Sequence, residues 1–281
     1  MMNLILQGLA ADTPTVERIA ALADAKRITP INAQAWRCGE VDFSDALKQR
    51  IDAECLAVGL DYAFVEPGRK LSDFKLLAMD MDSTLITIEC IDEIADMQGL
   101  KPQVAEITEA AMRGEIEFRE SLARRVALLK GLDANALRRV YDERLELSPG
   151  AEAMLDVVKA AGLKTLLVSG GFTYFTDRLK DQMALDYAHS NALEILDGKL
   201  TGRVLGGVVD ADEKQHTVER VCAELGVSPK QAIVMGDGAN DLKMMGIAGM
   251  SVAFRAKPVV RAQADVALNF VGLDGIAALF D

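Results

Sequence analysis

Residues 76–86 read Leu76-Leu77-Ala78-Met79-Asp80-Met81-Asp82-Ser83-Thr84-Leu85-Ile86. The short apolar run that ends at Asp80 is typical of a fully buried strand in a parallel sheet. Because ligands of open α/β sheets bind beyond the carboxyl ends of the strands, we expect Asp80 and Asp82 to face a binding site. Two carboxylates held together repel each other, and a hard divalent cation such as Mg²⁺, which prefers oxygen ligands, removes that repulsion. Taken alone, Asp-x-Asp fits a capping turn equally well.

The sequence that follows this motif predicts a doubly wound α/β core with a helical insertion. From Gly150 onwards, helices alternate with short apolar strands, which is typical of a doubly wound parallel sheet. Charged amphipathic segments between the motif and Pro149 predict an inserted helical cap at about residues 88–148. Such a cap can close over the site and exclude water.

Residues 67–70 (Pro-Gly-Arg-Lys) read as a linker between two domains. We therefore expect a small α/β domain at residues 1–70 and a larger α/β domain at residues 71–281. The first domain carries no catalytic pattern, so a structural, regulatory or dimerisation role is open for it, and a homodimer is one arrangement it would allow. Its predicted strands are residues 4–6, 33–38 and 60–65.

The composition limits the classes of partner. The 281-residue chain carries a formal net charge of −12, so it lacks the basic footprint that general nucleic-acid binding needs. It has no apolar run of about 18 residues and no basic segment ahead of a long apolar run, so we expect no membrane span, no signal peptide and a cytoplasmic location. The cysteines form no C-x-x-C pair and are predicted to be reduced, buried side chains; they are Cys38, Cys55, Cys90 and Cys222.

Two further strands end on residues suited to phosphate chemistry. The apolar run that leads to Ser169 is followed by Gly170 and Gly171, and glycines let backbone amides approach a phosphate closely. The run that ends at Met235 is followed by Gly236-Asp237-Gly238-Ala239-Asn240-Asp241, which supplies more carboxylates for a cation. Each pattern is weak by itself, because Ser-Gly-Gly and Gly-Asp-Gly are also ordinary turns.

Asp80, Asp82 and Lys214 supply reactive groups for the hydrolysis of a phosphate ester. A carboxylate at Asp80 can attack phosphorus and split one difficult step into two. Asp82 can protonate the leaving oxygen and then deprotonate a water molecule. We expect Lys214 to open a helix at residues 214–225, where the dipole disfavours a cation, and this misfit suggests that Lys214 neutralises Asp80 and the phosphate. Most lysines are simply solvated, so Lys214 alone decides nothing.

The order of these patterns resembles the four motifs of the haloacid dehalogenase (HAD) superfamily of aspartate-nucleophile phosphatases. The resemblance implies a HAD-like core with an inserted cap. It also implies a Mg²⁺ ion held by Asp80, by the backbone carbonyl of Asp82 and by Asp237, with Asp241 in the outer coordination sphere. The implied catalytic residues are Asp80 as nucleophile, Asp82 as acid and base, and Ser169 and Lys214 as the second-motif and third-motif residues.

A closer resemblance, over roughly residues 73–281, is to the phosphoserine phosphatase family. In that family a glutamate placed like Glu89 meets the substrate ammonium, and an arginine placed like Arg125 holds its carboxylate. The implied reaction is Mg²⁺-dependent hydrolysis of O-phospho-L-serine to L-serine and phosphate through an aspartyl-phosphate, the last step of L-serine biosynthesis. The remaining implied substrate-binding residues are Ser169, Gly170, Lys214 and Asn240. The segments that carry the resemblance are residues 80–95, Phe118-Arg119-Glu120-Ser121-Leu122-Ala123-Arg124-Arg125-Val126, Val168-Ser169-Gly170-Gly171-Phe172 and residues 236–241.

Two other functions stay open at this point. A related HAD phosphatase or phosphotransferase would act on another small phosphorylated metabolite, but a sugar phosphate or phosphoethanolamine gives Arg125 no carboxylate to bind. A non-catalytic amino-acid sensor on the same scaffold would be expected to have lost Asp80 or Asp82, and both are present. Without the resemblance, Glu89 and Arg125 would be interpreted as ordinary charges on helix faces.

Overall fold

The computed structural model describes residues 1–113 and 115–281, and for Met112 the backbone alone. Residue 114 falls within the predicted cap and lies outside the described residues. Two sheets organise the described chain, one of four strands near the amino terminus and one of seven strands after it.

Residues 1–70, here called the N-terminal unit, form an antiparallel sheet and two helices. The elements are β1 (Met2–Gln7), α1 (Thr13–Leu22), β2 (Arg27–Asn32), β3 (Ala35–Val41), α2 (Asp45–Val58) and β4 (Asp61–Val65). The strand order is β2-β3-β1-β4, and the chain order β-α-β-β-α-β confirms a small α/β unit. α1 begins where the Asp12 side chain accepts a hydrogen bond from the Thr15 amide at 2.9 Å, which is a standard helix cap.

One strand of the N-terminal unit is absent from our prediction. The strand predicted at residues 33–38 is β3, which begins at Ala35 and pairs with the unpredicted β2. All six residues of β2 are exposed, so its sequence lacks the buried alternation that reveals a strand. Pro30 also disfavours a strand except at the edge of a sheet, and β2 lies at that edge.

Residues 71–281, here called the catalytic unit, contain the seven-stranded sheet and its helices. The first half consists of β5 (Leu76–Met79), α3 (Cys90–Asp96), α4 (Lys101–Met112), α5 (Phe118–Leu128), α6 (Asn135–Glu143), α7 (Ala151–Ala160), β6 (Lys164–Phe172) and α8 (Thr173–Gln182). The second half consists of β7 (Tyr187–Leu196), β8 (Lys199–Leu205), α9 (Ala211–Glu224), β9 (Ala232–Gly236), α10 (Leu242–Ile247), β10 (Met250–Phe254), α11 (Pro258–Gln263) and β11 (Val266–Leu268).

The strand order β11-β10-β9-β5-β6-β7-β8 places the first-motif strand in the centre of the sheet. β5 runs parallel to both of its neighbours, β6 and β9. The chain therefore builds the sheet outwards in both directions, which confirms the predicted doubly wound core. Only β8 runs antiparallel to its neighbour in this sheet, as the second arm of a hairpin with β7. The carboxyl ends of β5, β6 and β9 lie side by side. Asp80 and Asp237 follow β5 and β9, and Ser169 lies in the last four residues of β6.

The helices α3, α4, α5 and α6 form the insertion between β5 and α7. Val104, Leu122 and Val126 on these helices belong to the same buried hydrophobic cluster as Leu85. Phe118, at the start of α5, lies so close to Gly170 that a Cβ atom on the glycine would be 3.2 Å from its ring. The insertion therefore covers the carboxyl ends of β5 and β6.

The N-terminal unit is joined to the catalytic unit by polar contacts and by a shared core. The Asp61 carboxylate accepts hydrogen bonds from the amides of residues 269, 270 and 271 at 2.7, 2.9 and 3.0 Å. Arg37 donates to the carbonyl of Phe280 at 2.6 Å and forms an ion pair with Asp281. One face of the small sheet also enters the hydrophobic cluster of the catalytic unit, through Ile5, Ala35, Ala63 and Val65.

The structure agrees with the expected state of the cysteines. All four are free and buried; they are Cys38, Cys55, Cys90 and Cys222. Among the described residues, no helix is both long enough and apolar enough to cross a membrane.

Candidate active site

Asp80 and Asp82 lie on a tight turn that follows β5. The amide of Asp80 donates to the carbonyl of Met235 in β9 at 3.0 Å, so the sheet itself fixes this residue. The turn closes where the amide of Leu85 donates to the carbonyl of Asp80 at 3.3 Å. Ser83 adopts a left-handed conformation with φ 56°, which is uncommon for a residue other than glycine. Residues in such conformations are found most often at functional sites.

Lys214 joins the first motif to the last. Its ammonium nitrogen lies 2.8 Å from Oδ1 of Asp80 and 2.7 Å from Oδ1 of Asp241, and all three side chains are buried. Burial would lower the pKa of Lys214, but the attraction of Asp241 and Asp80 outweighs it and raises that pKa above its ordinary value. Lys214 is therefore a cation held between two carboxylates.

The predicted start of this helix was wrong. α9 begins at Ala211, after Asp210 has capped it by accepting a hydrogen bond from the Glu213 amide at 3.0 Å. Lys214 is thus the fourth residue of the helix, at the end of its first turn, where the effect of the helix dipole is weaker than at the first residue. The two ion pairs, which link residues far apart in the chain, account for its position instead.

Three carboxylates meet beside Lys214. One oxygen from each of Asp80, Asp237 and Asp241 lies within 4.8 Å of the others. Burial, followed by repulsion from Asp80, raises the pKa of Asp237 and of Asp241 to about 7. A cation would relieve this repulsion, and a donor set made of carboxylate oxygens suits a hard divalent ion. The residues therefore fit a metal ion. The described cluster does not include the Asp82 side chain, and the expected role of its backbone carbonyl stays a prediction.

Glycines let the last motif fold tightly around Asp241. A side chain on Gly236 would collide with the Asp241 carboxyl group, and the amide of Gly238 donates to Oδ2 of Asp241 at 3.1 Å. Both oxygens of Asp241 are thus engaged, Oδ1 by Lys214 and Oδ2 by this amide. This engagement favours Asp237 over Asp241 as a direct ligand of a metal.

The second motif lies against the first. The buried Ser169 hydroxyl oxygen accepts a hydrogen bond from the amide of Gly171 at 2.9 Å. A Cβ atom on Gly171 would lie 3.0 Å from Oδ2 of Asp82 and 3.1 Å from Oγ of Ser169. Because glycine has no such atom, the loop approaches Asp82 closely. Ser169 and Asp82 therefore belong to one site.

Glu89 lies at the beginning of the insertion, beside Asp82. Its carboxylate accepts a hydrogen bond from the Ser83 hydroxyl at 2.8 Å. Burial first, and repulsion from Glu89 second, raise the pKa of Asp82 well above its usual value. Asp82 therefore holds a proton more readily than an exposed aspartate does.

Arg125 faces the same carboxylates from α5. Burial lowers the pKa of Arg125, and attraction by Asp92, Glu89 and Asp82 opposes that shift. Its buried Nε atom has no hydrogen-bond partner among the described residues. Buried donors are nearly always paired in native proteins, so this nitrogen is available to an acceptor from outside the described residues.

Asn240 is half-buried beside the Lys214–Asp241 ion pair, and its side-chain amide donates to Oδ1 of Asp241 at 3.4 Å.

Two neighbours of the site were not predicted from the sequence. Asn191 donates to the carbonyl of Gly170 at 2.7 Å, and the amide of Lys257 donates to the carbonyl of Asp237 at 3.1 Å. Neither belongs to a motif, and the one sequence signal for Asn191 is a polar amide within a strand.

The family model for haloacid dehalogenase-like hydrolases matches residues 74–249 of the chain. The chain belongs to this family. In the N-terminal unit of this haloacid dehalogenase-like hydrolase, residues 4–47 match a model for a domain of unknown function, DUF4072.

Individual relatives and solved structures resemble this hydrolase over most of its length. It is 57% identical over 229 residues to a phosphoserine phosphatase of Polaromonas sp. (strain JS666), which covers 80% of this chain and 97% of the relative. A HAD family hydrolase structure from Salmonella enterica serovar Typhi superposes with a TM-score of 0.91 at 32% identity, over 100% of this chain and 99% of that one. A probable phosphoserine phosphatase structure from Vibrio cholerae gives a TM-score of 0.84 at 38% identity, over 99% and 86% of the two chains.

Proposed function

We propose that this hydrolase is a Mg²⁺-dependent phosphoserine phosphatase, which converts O-phospho-L-serine to L-serine and phosphate. One observation carries the choice of substrate: Glu89 and Arg125, of opposite charge, flank Asp82, and Arg125 has an unpartnered Nε. A zwitterionic amino-acid head supplies a cation for the first and a carboxylate for the second. The 57% identity to the Polaromonas phosphoserine phosphatase supports the same substrate.

Asp80 is the proposed nucleophile. Its Oδ1 accepts hydrogen bonds from the Met81 amide at 2.7 Å and from Lys214 at 2.8 Å. Among the described residues, no donor lies within hydrogen-bond distance of Oδ2, so Oδ2 is the oxygen free to attack phosphorus. The attack breaks the bond between phosphorus and the serine oxygen and forms an aspartyl-phosphate.

Asp82 is the proposed acid and base. Its raised pKa favours the protonated form, and in that form Asp82 can give its proton to the departing serine oxygen. The carboxylate that results then takes a proton from water as the water oxygen attacks the aspartyl-phosphate. Phosphate leaves, Asp80 is restored, and Asp82 is again protonated.

The phosphate is proposed to bind between the second and third motifs. Ser169, the amide of Gly170 and Lys214 provide donors around it, and Asn240 contacts the substrate beside them. Asp80, Asp237 and the backbone carbonyl of Asp82 would hold Mg²⁺. When bound, the ion would supply positive charge to stabilise the phosphoryl group in the transition state.

For the remaining parts of the molecule we propose a boundary near residue 70 and a structural role for the N-terminal unit. The contacts of Asp61 and Arg37 with the end of the chain support that role.

We also propose a cytoplasmic location. It is supported by four cysteines that are all free, as expected in a reducing compartment. A homodimer stays a prediction for measurement in solution.

A phosphate-release assay over a panel of substrates tests the proposed function. The panel contains O-phospho-L-serine, phosphoethanolamine and a sugar phosphate, each with Mg²⁺ and with a chelator. We expect the highest kcat/KM for phosphoserine. In the chelator we expect no turnover of any substrate. Asp80→Asn should abolish turnover and keep the fold, as judged by circular dichroism. A preference for phosphoethanolamine or the sugar phosphate would favour a different metabolite phosphatase.

A further inference from the structure

Asn191 bridges the loop that carries Ser169 and the segment that leads into α9. Its side chain is 1% exposed. The amide nitrogen Nδ2 donates to the carbonyl of Gly170 at 2.7 Å, and Oδ1 accepts from the amide of Val209 at 2.8 Å. The pairing of β6 with β7 is irregular between Val168 and Phe172. At this break in the ladder, the Asn191 side chain supplies the hydrogen bonds instead.

The bond to Gly170 fixes the direction of the peptide group between Gly170 and Gly171. In a trans peptide the C=O and N–H groups point in opposite directions, and the described chain contains no cis peptide. Because the oxygen is held by Asn191, the N–H of Gly171 points the other way and donates to Oγ of Ser169 at 2.9 Å. That bond occupies a lone pair of the hydroxyl oxygen and leaves its hydrogen free to donate.

Without such an anchor, this peptide group would turn over easily. Glycine populates positive and negative φ about equally, and two glycines in succession remove the usual steric barrier. A turned peptide would direct the carbonyl oxygen of Gly170, rather than an N–H, at Ser169 and the bound phosphate. Two oxygen-rich groups would then face each other, which weakens phosphate binding.

We propose that Asn191 is a positioning residue for the phosphate site. It holds the Gly170–Gly171 peptide so that Ser169 donates to phosphate, and through Val209 it fixes this loop relative to α9, which carries Lys214. The inference rests on the proposed function in one respect, namely that the ligand of the Ser169 loop is a phosphoryl group. It does not depend on which alcohol the phosphate is attached to.

The test uses variants of the full-length enzyme with Mg²⁺. Asn191→Leu removes both hydrogen bonds, whereas Asn191→Asp keeps an acceptor for Val209 and places a second acceptor against the Gly170 carbonyl. Ser190→Ala is the matched control, since Ser190 precedes Asn191 on β7 and bonds to Thr176 on α8 at 2.7 Å, not to Gly170 or Val209. The probes are inorganic phosphate as a competitive inhibitor and p-nitrophenyl phosphate as a substrate, which do not use Glu89 or Arg125.

We expect both Asn191 variants to weaken phosphate inhibition and kcat/KM by about tenfold or more, while Ser190→Ala stays within about twofold. A double-mutant cycle adds a readout that general damage would not reproduce. The cycle uses Asn191→Asp, which keeps the acceptor for Val209. If Asn191 acts on phosphate through the Ser169 hydroxyl, Asn191→Asp should have little further effect in a Ser169→Ala background. Wild-type phosphate affinity in the Asn191 variants, or effects that add to those of Ser169→Ala, would overturn the proposal.

A measurement on the wild type covers the case in which the variants do not fold. The Gly171 amide should exchange its hydrogen slowly both with and without inorganic phosphate, because its peptide is anchored on both sides. Rapid exchange in the phosphate-free enzyme would overturn the proposal. These outcomes are separate from the choice of substrate, since a hydrolase that prefers another phosphate ester would still show the Asn191 effects.

Discussion

The ammonium nitrogen of Lys214 lies 2.8 Å from Oδ1 of Asp80, in an ion pair whose side chains are only 1% and 7% exposed. A charge held this far from water is stable only when it is paired, so Lys214 and Asp80 hold each other in place before a substrate binds. An ammonium group has three donors, of which Asp80 and Asp241 use two. The third is available for an oxygen of the phosphate.

Lys214→Met should therefore impair both catalysis and stability. We expect kcat to fall by about 10²–10³, the usual effect of removing a donor aimed at developing charge. Metal-free protein should lose about 3–5 kcal/mol of unfolding free energy, because two buried carboxylates lose their partner. Phosphate release and urea unfolding in a chelator measure the two effects. As a control, Lys243→Met removes an exposed pair with Asp212, which should contribute less than about 1 kcal/mol. Near-normal turnover by Lys214→Met would contradict this role.

Arg125→Ala should weaken turnover of phosphoserine selectively. A charge-assisted hydrogen bond contributes about 1.5–3 kcal/mol, which is roughly 10- to 150-fold in kcat/KM at about 1.36 kcal/mol per decade. An aryl phosphate has no carboxylate, so its turnover should change only a few-fold. Arg124→Ala is the matched control, because Arg124 is the neighbouring residue and pairs with Glu120 on the surface. A parallel loss for both substrates would show that Arg125 is structural.

The parts of the fold that were predictable are those in which local sequence and burial agree. The strand before Asp80 is a short apolar run, and it is found as the central strand Leu76–Met79. β2 escaped prediction because all six of its residues are exposed. The start of α9 was misplaced because its first turn, from Ala211 to Lys214, is mostly polar and shows no apolar spacing.

The residues of the site divide in the same way. Asp80 and Asp237 follow strands and Ser169 lies near the carboxyl end of β6, and the doubly wound topology brings these ends of parallel strands to one edge. Asn191 and Asp61 could not be predicted, because each acts through hydrogen bonds to residues distant in the chain. Asp61, for example, accepts from a residue 210 positions away. Such contacts exist only once the chain has folded, and no local pattern records them.

Metal-free protein should become less stable as the pH rises. The folded-state pKa of Asp237 and of Asp241 is about 7, against an ordinary value of 3.8. The folded state thus binds these protons more tightly than the unfolded state, and stability falls between about pH 4 and pH 7. Mg²⁺ should remove this loss, because a ligated carboxylate stays ionised without repulsion. Melting temperatures across this range, with Mg²⁺ and with a chelator, measure the effect. The decline should be shallower in Asp237→Asn, and an equal decline would refute the assignment.

The N-terminal unit and the catalytic unit should unfold together, and Asp61 should couple them. Its carboxylate accepts three backbone amides from residues 269–271, and each amide left unpaired in the interior costs about 1–3 kcal/mol. Of these three amides only that of Val271 is fully buried, so Asp61→Ala should lower the unfolding free energy by about 1–3 kcal/mol. We expect little effect on kcat at 25 °C, because Asp61 contacts none of the site residues. Glu66→Ala, an exposed change just beyond the same strand, should have almost no effect on the unfolding free energy.

Urea unfolding tests the coupling. It is followed by circular dichroism and by the fluorescence of Trp36, which lies in the N-terminal unit. Coincident transitions that shift together in Asp61→Ala are expected, whereas a separate early transition of the Trp36 signal in the wild type would show that the two units are independent.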